Sequence, residues 1–177
     1  MNFTPTPLAG AYVVEPELRR DERGFFARTW CEEEFRDHGL AGRLAQCSVS
    51  FNTRKGTLRG MHYQKAPHQE AKLIRCTRGS IHDVIVDLRQ DSRTFGEHFS
   101  TVLSAENHRM MYAPEGFAHG YLTLESGSEI FYQMSAAYLA DAACGFRWND
   151  PTFRIVWPDG VSVISERDRT YPDFLTP

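Results

Sequence analysis

Three short patches of the sequence hold side chains able to move protons. The first is Gly56-Thr57-Leu58-Arg59-Gly60-Met61-His62-Tyr63-Gln64, followed by Ala71-Lys72-Leu73. It sets a guanidinium and an imidazole among glycines, then places a lysine where a period of two aligns it with Ile74 and Cys76. An imidazole is a general base near neutral pH, and an ammonium turned inward beside it would meet a developing oxyanion. Lys72 reads equally well as a rim lysine with its head in water. The second patch, Ala113-Pro114-Glu115-Gly116-Phe117-Ala118-His119-Gly120-Tyr121, spaces a Pro-Gly turn before a histidine as P-x-G-x-x-H. A metal site would need H-x-H and a nearby glutamate to complete it. Here Gln64 follows His62, and the next candidates are His68 and Glu70. Two imidazoles and an amide are poor donors for a transition metal, so no metal is expected. The third patch is Ile130-Phe131-Tyr132-Gln133-Met134 with Tyr138 beyond it, where a strand tyrosine reads by default as a packing residue. Asp168, in Ser165-Glu166-Arg167-Asp168, reads by default as a solvated carboxylate near the end of the chain.

The elements that must position these groups are strands. Short β-patterned runs, at Gly10–Val14, Lys72–Cys76, Ser80–Leu88, Glu97–Leu103, Arg109–Ala113, Gly120–Leu124 and Ser128–Met134, are each bounded by Gly, Pro, Asp or Asn. In Ile81 to Leu88, one face carries the carboxylates Asp83 and Asp87 and the other is apolar. Helix signals are few: Cys31 to His38, with Glu32, Glu33 and Glu34 at its start and Gly39 as its stop, and a turn at Ala105-Glu106-Asn107. The pattern predicts an all-β barrel whose inward polar residues are site candidates. The 177 residues predict one domain, 1–177, without linker or repeat. Twenty basic and 23 acidic residues are mixed along the chain, with a net charge of −3, which argues against nucleic acid as a partner. No apolar run approaches a membrane span and the first residues carry no targeting pattern, so a cytoplasmic location is expected. Four scattered cysteines, Cys31, Cys47, Cys76 and Cys144, form no C-x-x-C pair and read as reduced packing residues.

Several motifs in order resemble the dTDP-4-dehydrorhamnose 3,5-epimerase family: Asp21-Glu22-Arg23-Gly24-Phe25-Phe26, Gly56 to Gln64, Ala71-Lys72-Leu73, Asp83 to Arg89, Pro114 to Gly120, Trp148-Asn149-Asp150-Pro151 and Ser165 to Asp168. The resemblance implies a cupin-type jelly-roll β-barrel with a few short helices. It implies no metal or other cofactor, and a homodimer in which the partner chain contributes to each site. The implied substrate is a nucleotide-linked 4-keto-6-deoxy sugar, inverted at C3 and C5. By resemblance His62 is the base, Asp168 its orienting carboxylate, Lys72 the group beside the C4 ketone and Tyr132 the acid on the opposite face. Arg23 and Arg59 match diphosphate positions, Tyr138 an aromatic lying against sugar or nucleotide, and Phe25, Gln46 and His119 further substrate-binding positions. Arg19 and Arg28 depart from the residues common in the family near the nucleotide base. A mono-epimerase of another deoxysugar pathway, and a cupin that binds a sugar nucleotide without turning it over, are the competing readings.

Overall fold

In the computed structural model of the chain, which describes residues 1–158 and 160–175, the β-runs form two facing sheets and one small hairpin. The strands are β1 (Asn2–Pro5), β2 (Tyr12–Glu15), β3 (Arg19–Asp21), β4 (Gly24–Phe26), β5 (Gln46–Asn52), β6 (Thr57–Gln64) and β7 (Lys72–Arg78). There follow β8 (Ser80–Asp87), β9 (His98–Ser104), β10 (Met110–Ala113), β11 (Phe117–Thr123), β12 (Ser128–Met134), β13 (Ala143–Gly145) and β14 (Val163–Ile164). Two short helices are described, α1 (Glu32–Asp37) and α2 (Glu166–Thr170). One sheet runs β1-β2-β10-β7-β12-β5, and the other β13-β6-β11-β8-β9 with β14 parallel to β6. This is the expected all-β jelly-roll barrel. Alternation drives it, because every second residue of each strand can be buried between the sheets.

Between the sheets lie Ile74 and Cys76 from β7, Ile81 and Ile85 from β8, Met111 from β10, Phe117 and Tyr121 from β11 and Ile130 from β12. The outer faces are covered in part. Helix α1 packs Phe35 with Leu73, Met110 and Tyr112 on one sheet. On the other, Phe146 and Phe153 pack against Met61, Val84 and Val86. Strand β8 is therefore buried on both faces. The two-faced pattern read from its sequence holds for side-chain type, but Asp83 and Asp87 are both fully buried.

Two local features fix the strands that carry the site. Strands β6 and β11 cross at Gly60 and Gly120, where a Cβ on Gly60 would lie 2.5 Å from the Gly120 Cα. Only glycine permits that approach, and the register of the pair shifts beside it. The Asp87 carboxylate accepts hydrogen bonds from Arg89 Nε at 2.8 Å, Ser92 Oγ at 2.6 Å and Thr94 Oγ1 at 2.7 Å, which pins the β8–β9 connection. Burial acts to raise the Asp87 carboxyl, but these donors outweigh it and hold the group below the usual carboxylate range.

Asp87→Asn is expected to lower the unfolding free energy at pH 7 by about 2–3 kcal/mol, the scale of hydrogen bonds to a charged group. Because the folded-state value is depressed, the native stabilisation is present above roughly pH 4 and is lost as pH falls through that depressed value. Urea denaturation of both proteins from neutral to acidic pH should show the gap narrowing on acidification; equal stability at pH 7 would contradict this role.

Candidate active site

The inward columns change character along the strands. On β12 the sequence Ile130, Tyr132, Met134 runs from the core to one end of the barrel, beside Cys76, Ile74 and Lys72 of β7. Apolar residues fill the floor and polar ones reach the mouth, which opens as a cavity of about 520 Å³, within the range of small-molecule sites. His62, Lys72, Tyr132 and His119 all line it, together with Gln46, Arg59 and Tyr138.

His62 comes from β6, and its Nε2 lies 2.7 Å from Asp168 Oδ1. Asp168 is not the solvated carboxylate its place in the sequence suggests: it is 4% exposed. Ser165 caps α2 by accepting from the Asp168 N–H, and the second Asp168 oxygen accepts from the Gly60 N–H at 3.3 Å. Burial acts to raise the carboxyl, but His62, Gly60 and Ser165 together hold it below its ordinary value. An ionised carboxylate accepting from Nε2–H leaves the Nδ1 lone pair as the basic atom of the imidazole. Such a carboxylate also stabilises the imidazolium once a proton is taken.

Tyr132 lies beside His119, ring centroids 5.9 Å apart. Burial, then the neighbouring Tyr121 and Asp83, push its phenol well above its usual value, with Arg59 acting in the opposite sense. The group is therefore a neutral O–H donor across the physiological range. His119 is itself oriented by a buried carboxylate, its Nε2 lying 2.7 Å from Asp83 Oδ1. Arg59 is steadied by Asn52, whose Oδ1 accepts from Nε at 2.9 Å, and Asn52 in turn bonds the Tyr121 hydroxyl. Lys72 points inward, resolving the choice its sequence left open, and its Nζ is 3.0 Å from Glu70 Oε1. Gln46 accepts from the Tyr138 N–H at 2.9 Å, tying the aromatic at the mouth to β5.

Arg23 and Phe25 are not brought to this cavity. They sit on the exposed β3–β4 hairpin, where Arg23 pairs with its neighbour Asp21 and Phe25 packs on His108. Arg28 is bonded to Glu34 at 3.0 Å, and neither it nor Arg19 lines the cavity. Among the residues that the sequence reading did not place at the site, Arg167 and Glu70 line the cavity and the buried Asp83 lies behind His119. Arg167 adjoins Asp168 on α2 and is raised above its ordinary value by Tyr138 and Tyr171 beside it. Glu70 stands two residues before Lys72, a strand-like spacing that could have flagged it. Asp83 was visible as an inward carboxylate of β8, but its histidine partner lies on another strand.

The comparisons with known proteins agree over the whole chain. The sequence profile of the dTDP-4-dehydrorhamnose 3,5-epimerase family matches residues 5–175. The protein named dTDP-4-dehydrorhamnose 3,5-epimerase in Methanothermobacter thermautotrophicus is 43% identical over 173 residues, 96% of this chain and 92% of that one. The crystal structure of the Bacillus anthracis dTDP-4-dehydrorhamnose 3,5-epimerase, with TDP and PPi bound, superposes with a TM-score of 0.94 at 39% identity, covering 98% of this chain and 99% of that one. The Legionella pneumophila dTDP-6-deoxy-D-glucose-3,5-epimerase in complex with dTDP-4-keto-L-rhamnose has a TM-score of 0.88 at 34% identity, covering 94% of this chain and 89% of that one. By sequence and by fold, the chain belongs to the dTDP-4-dehydrorhamnose 3,5-epimerase family.

Proposed function

We propose that this chain is an isomerase that inverts C3 and C5 of a dTDP-linked 4-keto-6-deoxy sugar, giving dTDP-4-dehydrorhamnose. The observation that carries the reading is one cavity, in a chain of this family, lined by a carboxylate-backed imidazole, an ammonium and a neutral phenol. A C–H beside a ketone is a very weak acid, so its removal needs a base and a cation at the oxygen that becomes an enolate. His62 takes the proton and Asp168 stabilises the resulting imidazolium. Lys72 faces the C4 oxygen. Tyr132 returns a proton from the opposite face, with Arg59 as the nearby cation that eases formation of its phenolate. Both inverted carbons flank C4, so one set of groups serves each in turn after the ring turns over.

The diphosphate is assigned to Arg59 and to Arg23 of a second copy. Arg23 is exposed and outside its own cavity, while the outer face of the β5–β12 edge offers a surface for a partner. Val49 and Phe51 there are 60% and 51% exposed, and Phe131 pairs directly with Val49. Beside Phe131, the buried Nε of Arg75 has no hydrogen-bond acceptor among the described residues. A homodimer across this face would cover the apolar side chains and offer Arg75 an acceptor. The relatives' names give dTDP, whose nucleoside is thymidine, and we extend that nucleotide to this chain. The work is assigned to the cytoplasm; no described helix is long and apolar enough to cross a membrane.

Proton NMR in D₂O with dTDP-4-keto-6-deoxyglucose is expected to show solvent deuterium entering at both C3 and C5. Exchange confined to one carbon would assign a mono-epimerase, and none across a panel of nucleotide-linked 4-keto sugars would assign a binding protein. His62→Ala should lower exchange at both carbons by at least 10²–10⁴-fold. Tyr132→Phe should lower epimer formation by a similar factor while wash-in falls less, because the base side is intact and deuterium can return from the face it left; an equal drop in both would place Tyr132 in enolate formation instead. Sedimentation at micromolar concentration should give a dimer, with Phe51→Glu shifting it toward monomer and slowing exchange; a monomeric wild type that is fully active would exclude a partner's Arg23.

A further inference from the structure

We propose that Glu70 is a positioning residue: its carboxylate aims the Lys72 ammonium at the substrate's C4 oxygen. The inference rests on the epimerase reading and adds to it a residue with no part in the proton transfers.

A lysine on a flexible four-carbon stem makes an imprecise electrophile unless its head is fixed. The Lys72 Nζ has three N–H donors in tetrahedral arrangement. One reaches Glu70 Oε1 at 3.0 Å and a second points to the His62 carbonyl oxygen at 3.4 Å. With two donors so engaged, the third is left for the cavity that Lys72 lines. Both side chains of the pair are nearly enclosed, Lys72 at 12% and Glu70 at 9% exposure. The geometry is therefore not loosened by water.

Glu70 is held in its own turn. Its Oε2 accepts from Gln64 Nε2 at 2.8 Å. The two N–H groups of that nitrogen are shared among Glu70, the His68 carbonyl at 2.9 Å and the more distant Ala137 carbonyl at 3.2 Å, while Gln64 Oε1 accepts from the Leu139 N–H at 2.7 Å. Gln64 is 4% exposed. The chain Leu139, Gln64, Glu70, Lys72 thus runs from the segment flanking Tyr138 at the mouth to the ammonium. A carboxylate in a pocket that receives a diphosphate is electrostatically adverse, and a buried ion pair is weak evidence for stability. Aiming a cation is the benefit that offsets this, since a misplacement of about 1 Å can cost on the order of 10²-fold in rate.

The test is a double-mutant cycle on the full chain, read by deuterium wash-in from D₂O with dTDP-4-keto-6-deoxyglucose. Lys72→Met should lower kcat by about 10²–10³-fold, as for loss of an oxyanion donor. Glu70→Gln should lower kcat by about 10–10²-fold with little change in KM. In the Lys72→Met background, Glu70→Gln should lower kcat no further, because its effect passes through the ammonium. Glu70→Asp keeps the charge one methylene short and should fall between wild type and Glu70→Gln. Wild-type turnover in Glu70→Gln or Glu70→Asp, or the same fold-loss with and without Lys72, would overturn the proposal. A readout independent of turnover is the side-chain ammonium signal in protein labelled with ¹⁵N-lysine. One resonance, absent in Lys72→Met, should be visible in wild type because fixed acceptors slow its proton exchange, and should broaden away in Glu70→Gln. Its persistence there would overturn the proposal even if no substrate in the panel were turned over, which would sink the epimerase reading by itself.

Discussion

A carboxylate withdrawn from water must be paired, and the Asp168 carboxylate dictates where the end of the chain lies. Its acceptors are satisfied by His62 and by the Gly60 N–H, both on β6, and its own N–H is satisfied by Ser165. To bring those donors together, α2 must dock on β6, and β14 runs parallel to the same strand immediately before it. The His62–Asp168 pair and the closure of the barrel are therefore one arrangement. The aromatic layer of Phe146, Phe153 and Phe174 secures the segment from beneath.

The same economy appears across the cavity. Strand β11 pairs with β6 so that His119 stands directly opposite His62, and each imidazole is oriented by a different buried aspartate. The two pairs are not equivalent. Asp168 is satisfied on both oxygens, whereas the second oxygen of Asp83 is buried with no partner among the described residues. A carboxylate left half-satisfied beside Tyr132 contributes to the upward push on that phenol. The surroundings of His62 favour a positive charge, and those of Tyr132, on balance, disfavour a negative one. That asymmetry suits a site in which one group takes a proton and the other gives one.

Much of this was readable from the sequence because alternation and turn residues are local. Strands β7, β8, β10 and β12 fall within a few residues of the expected runs, and α1 has Cys31 and His38 as its flanking residues. Strand β5 was missed, since in Gln46-Cys47-Ser48-Val49-Ser50-Phe51-Asn52 the polar Gln46, Ser48 and Ser50 line the cavity while the apolar Val49 and Phe51 are more than half exposed. That is the inverse of a core strand, and no local rule assigns it a face. Strand β6 was seen as a motif rather than an element because glycines interrupt it, and only the crossing with Gly120 explains them. Asp168 could not be recognised as buried from its surroundings, because its partner lies 106 residues away.

The proposed ligand is long, a sugar joined through a diphosphate to a nucleoside. The cavity of this chain holds the groups assigned to the sugar, and Arg59, Arg167 and Tyr138 also line it. The β3–β4 hairpin, which carries Arg23 and Phe25, turns away from that cavity and ends in the 73% exposed Phe26. A hairpin of three-residue strands has too little surface to be stable alone, and this one leans on the sheet through the contact of Phe25 with His108. Its arginine pairs with Asp21 of the same hairpin. The groups proposed to act at the sugar thus lie in one chain, and in the proposed dimer the hairpin of a neighbouring copy would add to the grip on the rest of the ligand. In that proposal the barrel gives the reacting groups their rigidity, and part of the affinity for the nucleotide would follow from assembly.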